Sequence, residues 1–296
     1  MPNYKTHSIH GEMVLPSINS INKRVNISKE DIKSFCLGPD ALVVTDYKTF
    51  DISHANNTRS FFCTLIREIK KRGLQGDPET MAFLYGQIDH FVLDLTIHPL
   101  IYYMTEGIKQ TRLMAPHALV ENWIDDYTSI KSKRNQLLYY RKWVIRNRNL
   151  ISLITDVYNE VYGATYEGYK YSLGMIATSL YDTFARRNLI GVAPLVASVS
   201  NLGDIFYRKD YNRALPYLNL ERDIWLNPET GEEYRESFDD LWKKSVEDSL
   251  ETIDDVNRCI YQGKPLTNPL IAKDLSCNTG LSCKNGQKLI HVKKCA

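Results

Sequence analysis

The chain has 296 residues, a formal net charge of +2, 43% hydrophobic and 24% charged residues, and a mean hydropathy of −0.34. That composition is ordinary for a globular protein, and the net charge by itself argues neither for nor against nucleic acid. No stretch offers 18 consecutive apolar residues and the first seven residues lack a basic-then-apolar signal pattern, so the expectation is a cytoplasmic chain without a membrane span.

In chain order, Thr6 to Leu15 reads as a short helix. Asn26 to Asp31 looks like a helix start, with Ser28 as cap and Asp31 three positions on. That helix is expected to stop at Gly38-Pro39-Asp40, because Gly accepts a left-handed cap and Pro has no N–H to continue with. Asp40 is thereby presented at a helix terminus. Thr45 to Asn57 reads as a polar loop containing His54. Asn57 to Arg72 reads as an amphipathic helix, with Phe61, Phe62, Leu65 and Ile69 at helical spacing. A turn at 73–78 leads into a central helix from Glu79 to His98. Pro99 either kinks it or begins a new segment.

That central stretch carries the chemistry. His90, Asp94 and His98 are four residues apart, and each step of four advances only about 40° around a helix. The three side chains share one face, while Phe91, Val92, Leu93, Leu95 and Ile97 would bury the helix. Buried imidazole and carboxylate groups cost several kcal/mol each unless they are partnered, and a metal ion partners both. Pro116 opens a second helix as a first-turn proline. His117 and Glu121 repeat the i, i+4 arrangement there, with Asp125 one further turn on. The competing reading makes each histidine a hydrogen-bonded core residue; two such arrays in succession favour metal.

Helices are expected over 135–161, 169–187, 188–201 and 237–261, with a linking loop over 216–231. The charged side of the helix over 237–261 reads as a solvated face. No repeat, low-complexity tract or alternating strand pattern is present. The expected fold is all-α, a compact multi-helix bundle with a metal cluster between helices. The domain reading is one helical domain over 1–262 and an irregular tail over 263–296. Six scattered cysteines without a C-x-x-C pair support neither a zinc ribbon nor a redox motif and are expected to be free thiols. Of the remaining histidines, His10 reads as structural or exposed and His291 as a surface residue.

Taken in order, Thr6-His7, Pro39-Asp40, His54, His90 with Asp94, His98, and His117 with Glu121 resemble the pattern of the bacterial zinc-dependent phospholipase C family. That family includes phosphatidylcholine-cleaving enzymes and clostridial alpha-toxin, and its fold is shared with P1-type nucleases. The resemblance spans residues 6 to about 125. It implies two to three zinc ions. His98, His117 and Glu121 would hold one; Asp40, His54, His90 and Asp94 would hold a second; Asp94 would bridge to a third that also takes His7. It further implies Asp40 as general base on the attacking water.

The implied reaction is phosphodiester hydrolysis on a phosphate-ester substrate such as a phospholipid headgroup. Zinc supports it by lowering the pKa of bound water to about 7. The pattern departs from the secreted relatives in three places. No tryptophan matches their mature N-terminal ligand, Pro99 follows rather than precedes His98, and nothing in the tail resembles the toxin's membrane-binding β-sandwich. A nuclease or phosphomonoesterase on the same site is the alternative enzyme. Near-neutral charge speaks against nucleic acid, which favours a basic groove. A metal-stabilised helical binding module without activity is the non-enzyme alternative.

Overall fold

The computed structural model describes residues 4–105, 116–132, 145–163, 167–186, 211–277, 279–281 and 289–293. Ten α-helices and one two-residue β-hairpin form among them. The fold is all-α, as the patterning predicts.

Helix α1 (Tyr4–Ile21) begins the described chain. Helix α2 (Lys29–Phe35) starts where the cap pattern places it, with the Ser28 side chain accepting from the Asp31 amide. A 3₁₀ turn (Gly38–Leu42) follows, with Pro39 in its first turn and Asp40 fully buried. The loop expected over 45–57 is instead mostly helix α3 (Tyr47–Ala55). Its start is fixed by Asp46, whose side chain accepts from the Thr49 amide. That cap outweighs the weak helix propensity of the Thr, Asp and Ser residues inside the segment. His54 thus lies in the last turn of a helix.

Helix α4 (Thr58–Lys71) turns an apolar face inward through Phe61, Phe62, Leu65 and Ile69. Helix α5 (Pro78–Thr105) is the axis of the molecule. Apolar on nearly every side, it is buried from Thr80 to Thr105 apart from Thr96 and Tyr103, as a helix without a polar face must be. It runs through Pro99 without ending. The ring removes the amide that would bond Leu95 O, and that carbonyl faces Gly280 of the C-terminal segment.

Helix α6 (Pro116–Lys131) packs on α1 and α5. Helix α7 (Arg148–Tyr162) is shorter than the helix expected over 135–161. The Asn147 side chain accepts from the amides of Asn149 and Leu150 and starts the helix there; residues 135–144 lie outside the described ones. Helix α8 is Tyr169–Arg186, and the segment 188–201 also lies outside. Within the expected loop over 216–231, strand β1 (Trp225–Leu226) pairs antiparallel with β2 (Glu233–Tyr234).

Helix α9 (Phe238–Gln262) opens with a full capping box between Ser237 and Asp240 and lies along α5. Its exposed charges find partners: Arg222 makes a bidentate contact to Asp240 at 2.7 and 2.9 Å, and Lys131 pairs with Asp239. Helix α10 (Pro269–Ala272) follows. The chain then docks on α4, with Thr58 Oγ1 donating to Leu275 O at 2.9 Å. No described helix is long and apolar enough to cross a membrane.

The apolar interior forms two clusters. The larger packs α1, α2, α4 and α7 around the first half of α5. The smaller gathers Leu93, Ile97, Leu100 and Ile101 of α5 with Val120, Ile124, Trp225 and Phe238. The polar residues of α5 sit where one cluster gives way to the other. His10 is fully buried and bonds Asp89 Oδ1 at 2.8 Å and Ser245 Oγ at 2.9 Å. His291 is half-buried against Gly231 of the hairpin.

Candidate metal centre

Seven of the eight residues singled out in the sequence converge with direct contacts. His7, Asp40, His90, Asp94 and His98 are fully buried; His54 and Glu121 are 5% and 3% exposed. Asp94 is the hub. His7 Nε2 lies 3.2 Å from its Oδ1, and His98 Nε2 lies 3.4 Å from the same oxygen. His90 Nε2 lies 3.1 Å from Oδ2, and His54 Nε2 lies 4.0 Å from it. His98 Nε2 is also 3.7 Å from Glu121 Oε1, while His54 Nε2 is 3.0 Å from Asp40 Oδ1. Two triads, His7–Asp40–His90 and His54–His90–Asp94, each present ligand-type atoms within 4.8 Å of one another.

His117, the eighth, stands at the rim. It is half-buried, and its ring packs 4.9 Å from that of Tyr102, which contacts the His98 ring at 5.8 Å. The segment joining it to α5 lies outside the described residues.

Backbone carbonyls orient three of the imidazoles. His54 Nδ1 donates to Phe50 O at 2.8 Å, His90 Nδ1 to Cys36 O at 3.1 Å, and His98 Nδ1 to Cys277 O at 2.7 Å. A carbonyl only accepts, so each Nδ1 carries the hydrogen. When the ring is neutral, Nε2 then turns a lone pair on the carboxylates. This is the arrangement by which proteins aim histidine ligands at a metal. It is invisible in the sequence, because any residue supplies a carbonyl. Cys277 contributes through its backbone carbonyl.

The 3₁₀ turn reaches His90 because residue 38 is glycine. Gly38 has φ +55°, and a Cβ there would lie 2.3 Å from the imidazole ring. Its carbonyl accepts from Tyr171 Oη at 2.8 Å, and Tyr171 Oη accepts in turn from Gln87 Nε2 at 2.8 Å. Helices α5 and α8 thus hold the turn that carries Asp40.

The charge states suit a cation. Burial lowers the pKa of His7, aided by the neighbouring His90, and pushes His98 well below its ordinary value. Burial takes His117 down to about 3. His90 goes the other way, since Asp94 and Asp40 together outweigh its burial and raise it. For Asp94, burial favours the neutral acid, but His98, His90 and His7 prevail and hold it well below the usual range. An ionised Asp94 thus faces His7 and His98, both held towards the neutral form, the protonation states metal ligands need.

Hydrogen bonding does not account for this cluster. Both oxygens of Asp94, Oδ2 of Asp40, both nitrogens of His7, and Nε2 of His90 and of His98 are buried with no hydrogen-bond partner among the described residues. Each such atom costs about 1–3 kcal/mol if left that way. Their convergence is what a metal site requires.

A family model described as zinc-dependent phospholipase C matches residues 6–168, more than half of the chain. The chain belongs to the zinc-dependent phospholipase C family. No curated protein and no solved structure matches it. The matched stretch runs from Thr6 to the turn before α8 and contains all eight residues. It also includes the whole of α7, beyond the last ligand-type side chain. A small cavity of about 20 Å³, lined by Phe61, Phe91, Tyr158 and Tyr162 together with Ser53, Thr58 and Gln87, lies beside His90.

Proposed function

We propose that this chain is a zinc-dependent phosphodiester hydrolase of phospholipase C type, acting on the headgroup ester of a phospholipid. The observation that carries the reading is the buried convergence of His7, His54, His90 and His98 on the oxygens of Asp40 and Asp94. A neutral imidazole lone pair beside an ionised carboxylate is repulsive on its own, and a cation shared between them reverses the sign. In this reading His98, His117 and Glu121 hold one zinc ion. Asp40, His54, His90 and Asp94 hold a second, and Asp94 with His7 a third. Bound zinc supplies Lewis-acid polarisation of a phosphoryl oxygen and a lowered pKa for water.

The chain's own groups do the rest. The three aimed imidazoles and Asp94 would hold that cation, whose positive charge would meet the phosphodiester's negative charge. Asp40 is the proton acceptor: His54 engages its Oδ1, and Oδ2 makes no hydrogen bond. The oxygen of water joins phosphorus, the bond from phosphorus to the lipid alcohol breaks, and a proton goes to that alcohol.

Zinc per chain by elemental analysis on untagged protein tests the metal, with His90→Ala and His117→Ala as controls. Wild type should carry two or more zinc ions and both variants less; absence of zinc above background overturns the reading. Hydrolysis of phosphatidylcholine in mixed micelles is then compared with single-stranded DNA and a phosphomonoester. Preference for the lipid supports phospholipase C chemistry. Preference for DNA transfers the site to a nuclease, and zinc without turnover of any substrate leaves a structural module.

A further inference from the structure

Asp125 continues the array begun by His117 and Glu121, yet its carboxylate is committed elsewhere. Oδ1 accepts from the Thr6 amide at 2.8 Å and from the Thr6 hydroxyl at 2.6 Å. Oδ2 accepts from the Lys5 amide at 3.2 Å. These amides belong to the first turn of α1, where the four leading N–H groups have no partner within the helix. That turn contains no acidic residue of its own. Helix α6 therefore provides the cap, and its negative charge sits on the positive end of the α1 dipole. The contact is sealed: Thr6 and Asp125 are fully buried, and Thr128 Oγ1 lies 3.1 Å from Thr6 Oγ1.

We infer that Asp125 is a positioning residue of the metal centre: by capping α1 across the helix interface, it fixes the register at which His7 enters the cluster. His7 follows the capped Thr6 directly. Its ring stacks on that of His90 with centroids 4.1 Å apart, and its Nε2 faces Asp94. A slip of α1 by one residue would rotate His7 by about 100° away from both. Helix α6 carries His117 and Glu121 as well, so one helix presents ligand-type groups to one part of the cluster and sets the position of another. Thr6, the residue that precedes His7 in the sequence pattern, acquires a physical role as the acceptor's partner.

The inference rests on the zinc reading above, and the test separates the two. Zinc affinities of full-length protein are measured by competition with a chromophoric chelator, and the visible spectrum of the cobalt-substituted protein is recorded. The variants are Asp125→Ala, Asp125→Asn, Thr6→Val, His7→Ala and the double variant Asp125→Ala/His7→Ala. Removing a supporting group behind a ligand weakens metal binding by about 10- to 100-fold. Asp125→Ala should weaken only the equivalent that His7→Ala weakens and alter the same cobalt band. The double variant should lose no more than His7→Ala alone. Asp125→Asn keeps an acceptor and should recover much of the affinity.

If Asp125→Ala does not fold, Thr6→Val removes the 2.6 Å bond and the contact to Thr128 while sparing both amide bonds to Asp125, and should shift the same equivalent. Unchanged affinity and an unchanged cobalt spectrum in a folded Asp125→Ala or Thr6→Val variant would overturn the positioning role while leaving the zinc site standing. Wild type that binds no zinc would instead sink the site itself.

Discussion

The carbonyl oxygen of Cys277 accepts from His98 Nδ1 at 2.7 Å, so a residue near the C-terminus decides which nitrogen of a central-helix imidazole faces the carboxylates. The Cys277 amide in turn donates to His54 O at 3.1 Å. One residue thus braces two candidate ligands. A chain ending at Lys273 should keep its helical circular dichroism but bind zinc about 10- to 100-fold more weakly. Equal affinity in the two forms, by chelator competition, would contradict the brace.

Gly38→Ala should damage the site from outside the ligand set. The left-handed conformation costs a residue with a side chain about 1–2 kcal/mol, and the new methyl group meets the His90 ring. The melting temperature should fall, and zinc content should fall with it because Asp40 and His90 can no longer approach. Gly73→Ala, at φ +67° but with nothing near the added carbon, is the control. It should lower the melting temperature without changing zinc content.

Asp40→Asn should separate binding from chemistry. If Asp40 takes a proton, the variant should lose about 10²- to 10⁴-fold in kcat while still binding zinc through His54, His90 and Asp94. Steady-state kinetics beside elemental analysis checks this. A variant as active as wild type would remove Asp40 from the reaction.

Acid should destabilise the metal-free protein through its histidines. His7, His98 and His117 have pKa values lowered by burial, so below about 6.5 the unfolded chain binds protons that the folded chain refuses. Stability therefore falls as pH drops from about 6.5 towards the folded value of His117, about 3. Asp94, held low, adds to the loss below the ordinary carboxylate range. His90, raised, opposes it by contributing stability at low pH that disappears above its folded pKa. Urea midpoints from pH 8 to pH 4 test the sum: they should decline, and His117→Ala should flatten the decline. Midpoints that rise on acidification would show that His90 dominates.

Much of the site was legible because it is written in side chains at helical spacing. His90, Asp94 and His98 needed only one helix to meet, and the Ser28 cap with the Gly38-Pro39 stop placed Asp40. His54 was found as a residue but given the wrong surroundings. The cap at Asp46 was the missed signal, and it turned a polar stretch into helix α3. What sequence could not carry was backbone and long-range: the Phe50, Cys36 and Cys277 carbonyls, and the commitment of Asp125 to α1. Asp125 sits on the right face at the right spacing for a ligand. Only the position of α1 shows that its oxygens are already taken.

Helix α5 passes its polar residues through the boundary between two apolar clusters. Buried polar atoms left without partners at such a boundary cost free energy. Zinc bound there would act as a rivet, joining two packing regions into one cooperative unit. Loaded protein should then melt in a single sharp transition. Chelated protein should open along this seam first, so that catalytic competence and mechanical unity are lost together.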